Sequence, residues 1–219
     1  MKTENATGLI LRVRPLTETS LIIHWLTPDS GRIATVAKGA RRPKSPFAGK
    51  LDLFYAADFS YSRSRSSSLH QLREIKLRET HGAIRRDLMK LQQAGYAAAF
   101  IEQATETDTP LPEIFELVRE FLKHLCEHQP QPQNIFALEL KLLRELGLEP
   151  DLATSRLTPG AKKIIPLLLA NDPDSRLKLS AAQTAELRHF LHGFLIFHLG
   201  RLPRGRAAAV AGSEPPAAD

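Results

Sequence analysis

The sequence predicts an α+β protein in two parts, an N-terminal OB-fold β-barrel followed by an all-α helical bundle. Three observations predict it. Short β-branched and aromatic runs fill the first eighty residues. The texture changes at residue 81 to helix formers at helical spacing. The charge divides at the same place: residues 1–80 carry 14 Lys/Arg against 7 Asp/Glu, and the remainder 16 against 17. All of the formal excess of +6 in the 219-residue chain therefore lies in the first part, which points to an acidic polymer or anionic surface as its partner.

The first expected strand, Gly8 to Arg14, places Leu9, Leu11 and Val13 on one face and Ile10, Arg12 and Arg14 on the other. Thr19 to Thr27 is the second. Pro28-Asp29-Ser30-Gly31 has the make-up of a hairpin turn and leads to the third, Arg32 to Lys38. The fourth runs from Leu51 to Tyr61 and ends in a serine- and arginine-rich turn. The fifth is Leu69 to Thr80. Five short strands in this length suit a small closed barrel, with an SH3-like barrel or an open sheet also compatible with the pattern.

Helices follow over 83–105, 113–128, 134–146, 161–170 and 181–199. Pro110 and Pro112 open the second, and Gly147 stands where a left-handed cap ends the third. Pro166 argues that the fourth is short, kinked or divided. Ser180 and Gln183 form a capping-box pair before the fifth. The expected domains are 1–80, 81–201, and a Pro-, Ala- and Gly-rich disordered tail over 202–219.

Residues 30–46 carry the strongest chemical signal. A strand runs into Gly39 and then into a knot of positive charge. Gly39 lets the main chain approach a phosphate, and Lys38, Arg41, Arg42 and Lys44 can displace its counterions. Arg12, Arg14, Arg32 and Lys50 lie on or near strands of the same barrel, and Arg63 and Arg65 lie in the serine-rich turn. These ten cations and Gly39 are the candidate DNA-binding residues. The aromatics among them, Phe47, Phe54, Tyr55, Phe59 and Tyr61, are at strand spacing core residues first and stacking platforms second.

The remaining motifs exclude catalysis by the commoner routes. Gly39 to Ser45 has Pro43 where a phosphate-cradling loop needs glycine before its lysine, which speaks against nucleotide hydrolysis. No paired-acid motif for metal-ion catalysis occurs in the basic part. His124, Cys126 and His128 have metal-ligand spacing but lack further ligands, so neither metal nor cofactor is expected. Phe190, Phe194 and Phe197 form a stripe on the last helix. It reads as core, or as the border of a peptide groove with Arg188 or Arg201 nearby. A single cysteine, a polar start and the lack of a long apolar run predict a cytoplasmic protein with no membrane contact.

Several stretches resemble the bacterial RecO family of recombination mediators. Gly8 to Ser20 is similar to that family's first hairpin, and Gly31 to Arg41 to its most specific signature. Leu138 to Asp151 resembles its central helix and loop, and Phe197-His198-Leu199-Gly200 its final helix. The resemblance implies a non-catalytic protein of DNA repair and recombination. It would bind single- and double-stranded DNA, anneal complementary strands, and with RecR help load RecA onto DNA coated by the single-strand-binding protein SSB. Contact with SSB would be made through its acidic tail, in the bacterial cytoplasm at the nucleoid. Many members carry a four-cysteine zinc module between the segments that here end at Asp151 and restart at Pro159. Only Leu152 to Thr158 connects them in this chain, without cysteine, so no structural zinc is expected.

Overall fold

The computed structural model describes residues 3–170 and 177–211. Five strands close a barrel: β1 (Thr3–Pro15), β2 (Leu21–Thr27), β3 (Gly31–Ala37), β4 (Ala56–Ser62) and β5 (Leu69–Glu79), in the order β1-β2-β3-β5-β4. All pairs are antiparallel except β3 with β5. That order with one parallel pair is the OB-fold, and closure removes the open-sheet alternative. Strand β1 closes the ring because it is long. Its first half pairs with β4 and its second half with β2, the two registers meeting at Leu9.

A β-bulge between Ile10 and Arg12 corrects the expected faces of β1. The extra residue reverses the alternation, so Ile10 and Val13 both enter the barrel core. Inside, Trp25 stacks on Phe59 with centroids 4.0 Å apart, and its indole N–H donates to Thr35 Oγ1 at 2.8 Å. Tyr61 stacks on His70. Phe47, Phe54, Phe59 and Tyr61 are all buried, so these rings build the core and form no outer stacking platform. The fourth strand starts at Ala56 rather than Leu51. Residues 51–55 turn instead, with Phe54 at a φ of 64° directing its ring inward.

Among the described residues, six α-helices follow: α1 (Leu88–Ala104), α2 (Pro112–Glu127), α3 (Pro132–Glu145), α4 (Pro159–Leu169), α5 (Ala181–Leu199) and α6 (Arg206–Val210). Helix α1 starts later than its spacing suggests. A 3-10 turn occupies Ile84–Arg86, and Asp87 then accepts from the N–H groups of Met89 and Lys90. Helix α3 ends with Gly147 at a φ of 72° and Leu148 N–H reaching back to Leu143 O at 2.7 Å. Helix α4 runs through Pro166 as one short element. Ser180 and Gln183 complete their capping box.

The chain divides into two compact units whose boundaries differ from the expected 80/81 cut. One comprises Met1–Arg86 with Thr105–Cys126, the other Asp87–Ala104 with Glu127–Asp219. Residues 105–111 belong with the barrel because they pair onto it as a strap. Asp108 N–H donates to Arg32 O and Leu111 N–H to Pro28 O, both at 3.0 Å. Gly31, at a φ of 60°, receives the strap so closely that a Cβ there would lie 1.7 Å from Thr109 O.

The second unit contains a correction to the expected tail. Residues 206–210 form α6, and Arg206 is only 4% exposed. Its guanidinium grips the fully buried Glu139 in two bonds of 2.7 and 2.9 Å, and Tyr96 donates to the same carboxylate at 2.5 Å. Composition suggested disorder from residue 202, but one arginine with a buried partner orders the segment. The rest of that expectation, 212–219, lies outside the described residues.

Candidate nucleic-acid interface

The β3–β4 connection, residues 38–55, is a succession of tight turns. Arg42 N–H bonds to Gly39 O, Ser45 to Arg42 O, Ala48 to Ser45 O and Lys50 to Phe47 O, at 3.0–3.1 Å. Phe47 anchors this run in the barrel core. The sequence between the anchors is charged, so its side chains point to water: Lys38, Arg41, Arg42 and Lys44 are exposed, and Lys50 is half-buried. Gly39 adopts a φ of 69°, and the far end of the Arg42 side chain, from Cδ to Cζ, lies beside it.

The β1–β2 loop, residues 16–20, fixes this run from the other side. Arg41 N–H donates to Thr19 O at 3.0 Å, and Gly39 N–H to Ser20 Oγ at 3.4 Å. Arg14, exposed at the end of β1, lies opposite Ile22. Next along the same outer face, Arg12 lies opposite His24. Burial first, and then Arg14, Arg12 and Arg32 in that order, lowers the pKa of His24 below its ordinary value. These strands therefore share a field of positive sign. Arg14, Lys38, Arg41, Arg42 and Lys44 form no ion pair among the described residues.

Two candidate cations stand elsewhere and are occupied. Arg32, at the start of β3, binds the strap through Thr105 Oγ1 at 2.9 Å and through Thr105 O, and burial lowers its pKa. Arg63 donates to both oxygens of Glu4 at 3.1 Å, to Asp108 at 3.1 Å and to Tyr61 Oη at 3.2 Å. Partial desolvation pulls its pKa down, but the bonds to Glu4 and Asp108 outweigh this and leave it raised. Although Arg63 lies in the serine-rich turn, acids on β1 and the strap hold it. Arg65 remains exposed in that turn.

Seven of the eleven candidates thus separate along β3. Arg32 and Lys38 are six residues apart, which spans about 20 Å of strand. At one end lie Lys38, Gly39, Arg41, Arg42 and Lys44 with the β1–β2 loop. At the other lie Arg32 and Arg63, both committed to internal bonds. Sequence reading passed over His24, Leu16, Thr19 and Ser20. The alternation of Ile22, His24 and Leu26 along β2 was the available sign for His24. Nothing in the sequence marks Leu16, which is 45% exposed at the loop tip.

In the helical unit, Leu187, Leu191 and Leu195 of α5 are buried, while Phe197 is 83% exposed. The expected aromatic stripe therefore faces partly outward. Phe190 and Phe194 meet at 5.8 Å, and Phe194 lies 4.3 Å from the His198 ring. Arg188 is engaged with Val210 O at 2.8 Å. Among the described residues, no group of three His, Cys, Asp or Glu is placed to hold a metal ion, and no helix is long and apolar enough to cross a membrane.

Two family models match the chain: "Recombination protein O N terminal" over residues 1–81 and "Recombination protein O C terminal" over residues 85–155. Among similar proteins, the DNA repair protein RecO of Rhodopirellula baltica is 34% identical over 151 residues, covering 69% of this chain and 55% of that protein. The DNA repair protein RecO of Anaeromyxobacter sp. (strain K) is 32% identical, covering 67% of this chain and 58% of its own length. That of Bacillus subtilis is 31% identical, with 66% and 56% covered. The chain spans little more than half the length of the curated relatives it matches.

Proposed function

Since this chain belongs to the RecO family, we propose that it acts in DNA repair and recombination as a non-catalytic, DNA-binding mediator. The observation that carries this reading is the set of exposed cations at the β1–β2 loop and the start of the β3–β4 connection. Arg14, Lys38, Arg41, Arg42 and Lys44 lack acidic partners among the described residues and share one end of an OB barrel. Such a surface binds a phosphate backbone by releasing its counterions and needs no sequence readout.

The chemistry is electrostatic. The cations hold the backbone of one strand and leave most of its bases turned outward. They also screen the repulsion between two strands, so that complements can approach and pair. Annealing of this kind needs no nucleophile or proton transfer. Single-stranded DNA, and double-stranded DNA through the same backbone contacts, are the substrates. Gly39 contributes close approach of the main chain. Arg12, beside His24, extends the positive face along β1, and Lys50 adds charge within the β3–β4 connection, while Arg65 lies with Arg63 in the β4–β5 turn at the other end. Arg32 and Arg63 act through the fold and are not among the residues that touch DNA.

Family membership extends the proposal to partners: RecR, the acidic tail of SSB, and through them RecA loading. The outward aromatic ridge of α5, with Phe197 exposed, supports a peptide contact in the helical unit.

Annealing of complementary oligonucleotides across a salt series tests the reading. Arg41→Glu with Arg42→Glu is expected to weaken binding to single strands at least tenfold. The dependence of log affinity on log salt should flatten by roughly 1.4, or about 0.7 for each phosphate no longer neutralised. Unchanged affinity and slope in that variant reject the site.

A further inference from the structure

Building on the DNA-binding reading above, we infer that the depression between the β1–β2 loop and the end of β3 is a slot for one unstacked base of a single strand. The depression measures about 370 Å³, at the low end of volumes that seat a small ligand. Its walls are of two kinds. Leu16 and Val36 supply an aliphatic face, and Lys38 and Arg42 stand over the same space. A nucleotide has this division: an apolar ring face and an anionic phosphate. The core rings cannot take the base, since Phe47, Phe54, Phe59 and Tyr61 are all buried, and the half-buried Tyr55 ring is covered by Arg85, whose Cζ stands 4.6 Å from its centroid. The aliphatic wall is the apolar surface available beside the cations.

The slot is held in shape. Leu16 N–H donates to Ser20 O at 2.9 Å, and Thr17 Oγ1 accepts from Ser20 N–H at 3.1 Å. A loop closed this tightly keeps Leu16 out in water when it could have folded away. Thr17 and Ser20 each accept a main-chain N–H through the hydroxyl oxygen. Each hydroxyl proton is left to donate, and every base carries an acceptor on its edge. The slot therefore tolerates any base but requires an unstacked one. Bases within a duplex are stacked and paired, so it favours single strands.

The test compares a deoxythymidine oligonucleotide with an abasic strand of the same length, which keeps the phosphates and lacks the bases. Wild-type protein is expected to bind the thymidine strand about fivefold more tightly. Leu16→Ser should remove most of that preference while leaving affinity for the abasic strand unchanged. Leu16→Trp should enlarge it, because a ring stacks better than an aliphatic chain. Leu16 is exposed at a loop tip, and thermal unfolding of both variants checks that they fold. Equal wild-type affinity for the two strands, or a Leu16→Ser variant that keeps the preference, overturns the slot and leaves the phosphate grip standing. Failure to bind either strand overturns the DNA-binding reading itself.

Discussion

The two ends of β3 put the same kind of side chain to different uses. Arg32 at its start is spent on the strap, and Arg63 nearby is spent on Glu4 and Asp108. Lys38, Arg41, Arg42 and Lys44 at its end meet water. Charge alone does not tell these apart. What separates them is whether the fold brings a carboxylate or a carbonyl within reach. Arg206 in the helical unit is the extreme of the first kind, a cation almost wholly enclosed with its counter-ion. A basic residue either holds the protein together or is left for a ligand, and mutation can sort the two.

The largest effect is expected at Arg206. Arg206→Ala strands the Glu139 carboxylate in the interior and should cost about 3–5 kcal/mol in urea unfolding. Replacing both partners with apolar residues should recover much of that stability, which separates the cost of an orphaned charge from the worth of the pair.

Gly31→Ala comes next. The added methyl would collide with Thr109 O, and the backbone is already in the left-handed region. A destabilisation of about 2–3 kcal/mol is expected. Protease sensitivity should rise within 105–111, where the strap lifts.

The contrast between the ends of β3 is sharpened by Arg63→Ala against Lys38→Ala. Arg63→Ala should lower stability by about 0.5–1 kcal/mol, since its ion pairs are partly exposed, and leave DNA affinity unchanged. Lys38→Ala should do the reverse: stability within about 0.5 kcal/mol of wild type, and a salt slope smaller by about 0.7. Equal effects of both on DNA binding would erase the distinction between the two ends.

The smallest effect concerns His24. Its folded pKa lies below the ordinary value, so the folded state resists protonation. Its contribution to stability is full above the unfolded pKa of about 6.5 and is lost as pH falls through the folded value. A phosphate laid beside Arg12 and Arg14 would offset part of the arginines' field, though not the burial, and so favour the protonated ring. DNA affinity should therefore strengthen modestly between pH 7.5 and 6, and His24→Gln should remove that increment.

Much of the barrel was legible in the sequence because strand alternation, the Pro28–Gly31 turn and the clustered cations are local signals. Helix ends were legible where a cap carries its own chemistry, as at Gly147 and at Ser180 with Gln183. The misreadings are non-local. The bulge at β1 depends on pairing with two partners at once. The strap depends on Gly31 meeting a residue far along the chain. Arg206 looked like one more charge in a Pro- and Ala-rich tail, and its partner Glu139 lies 67 positions away. The site was legible in charge but not in availability. Arg63 and Arg42 look alike in sequence, and the fold decides which is spoken for.

The strap has a practical consequence. A fragment trimmed at residue 81, where composition and charge both suggest cutting, would carry all five strands and still be incomplete. It would leave the crevice at Gly31 empty, the Arg32 guanidinium without Thr105, and Arg63 with one acid fewer. Arg32, released from internal duty, would then face solvent, while Arg63 would keep Glu4 and Tyr61 alone. Such a fragment would bind nucleic acid through contacts that the intact chain does not offer, and its affinity would overstate the grip of the whole molecule.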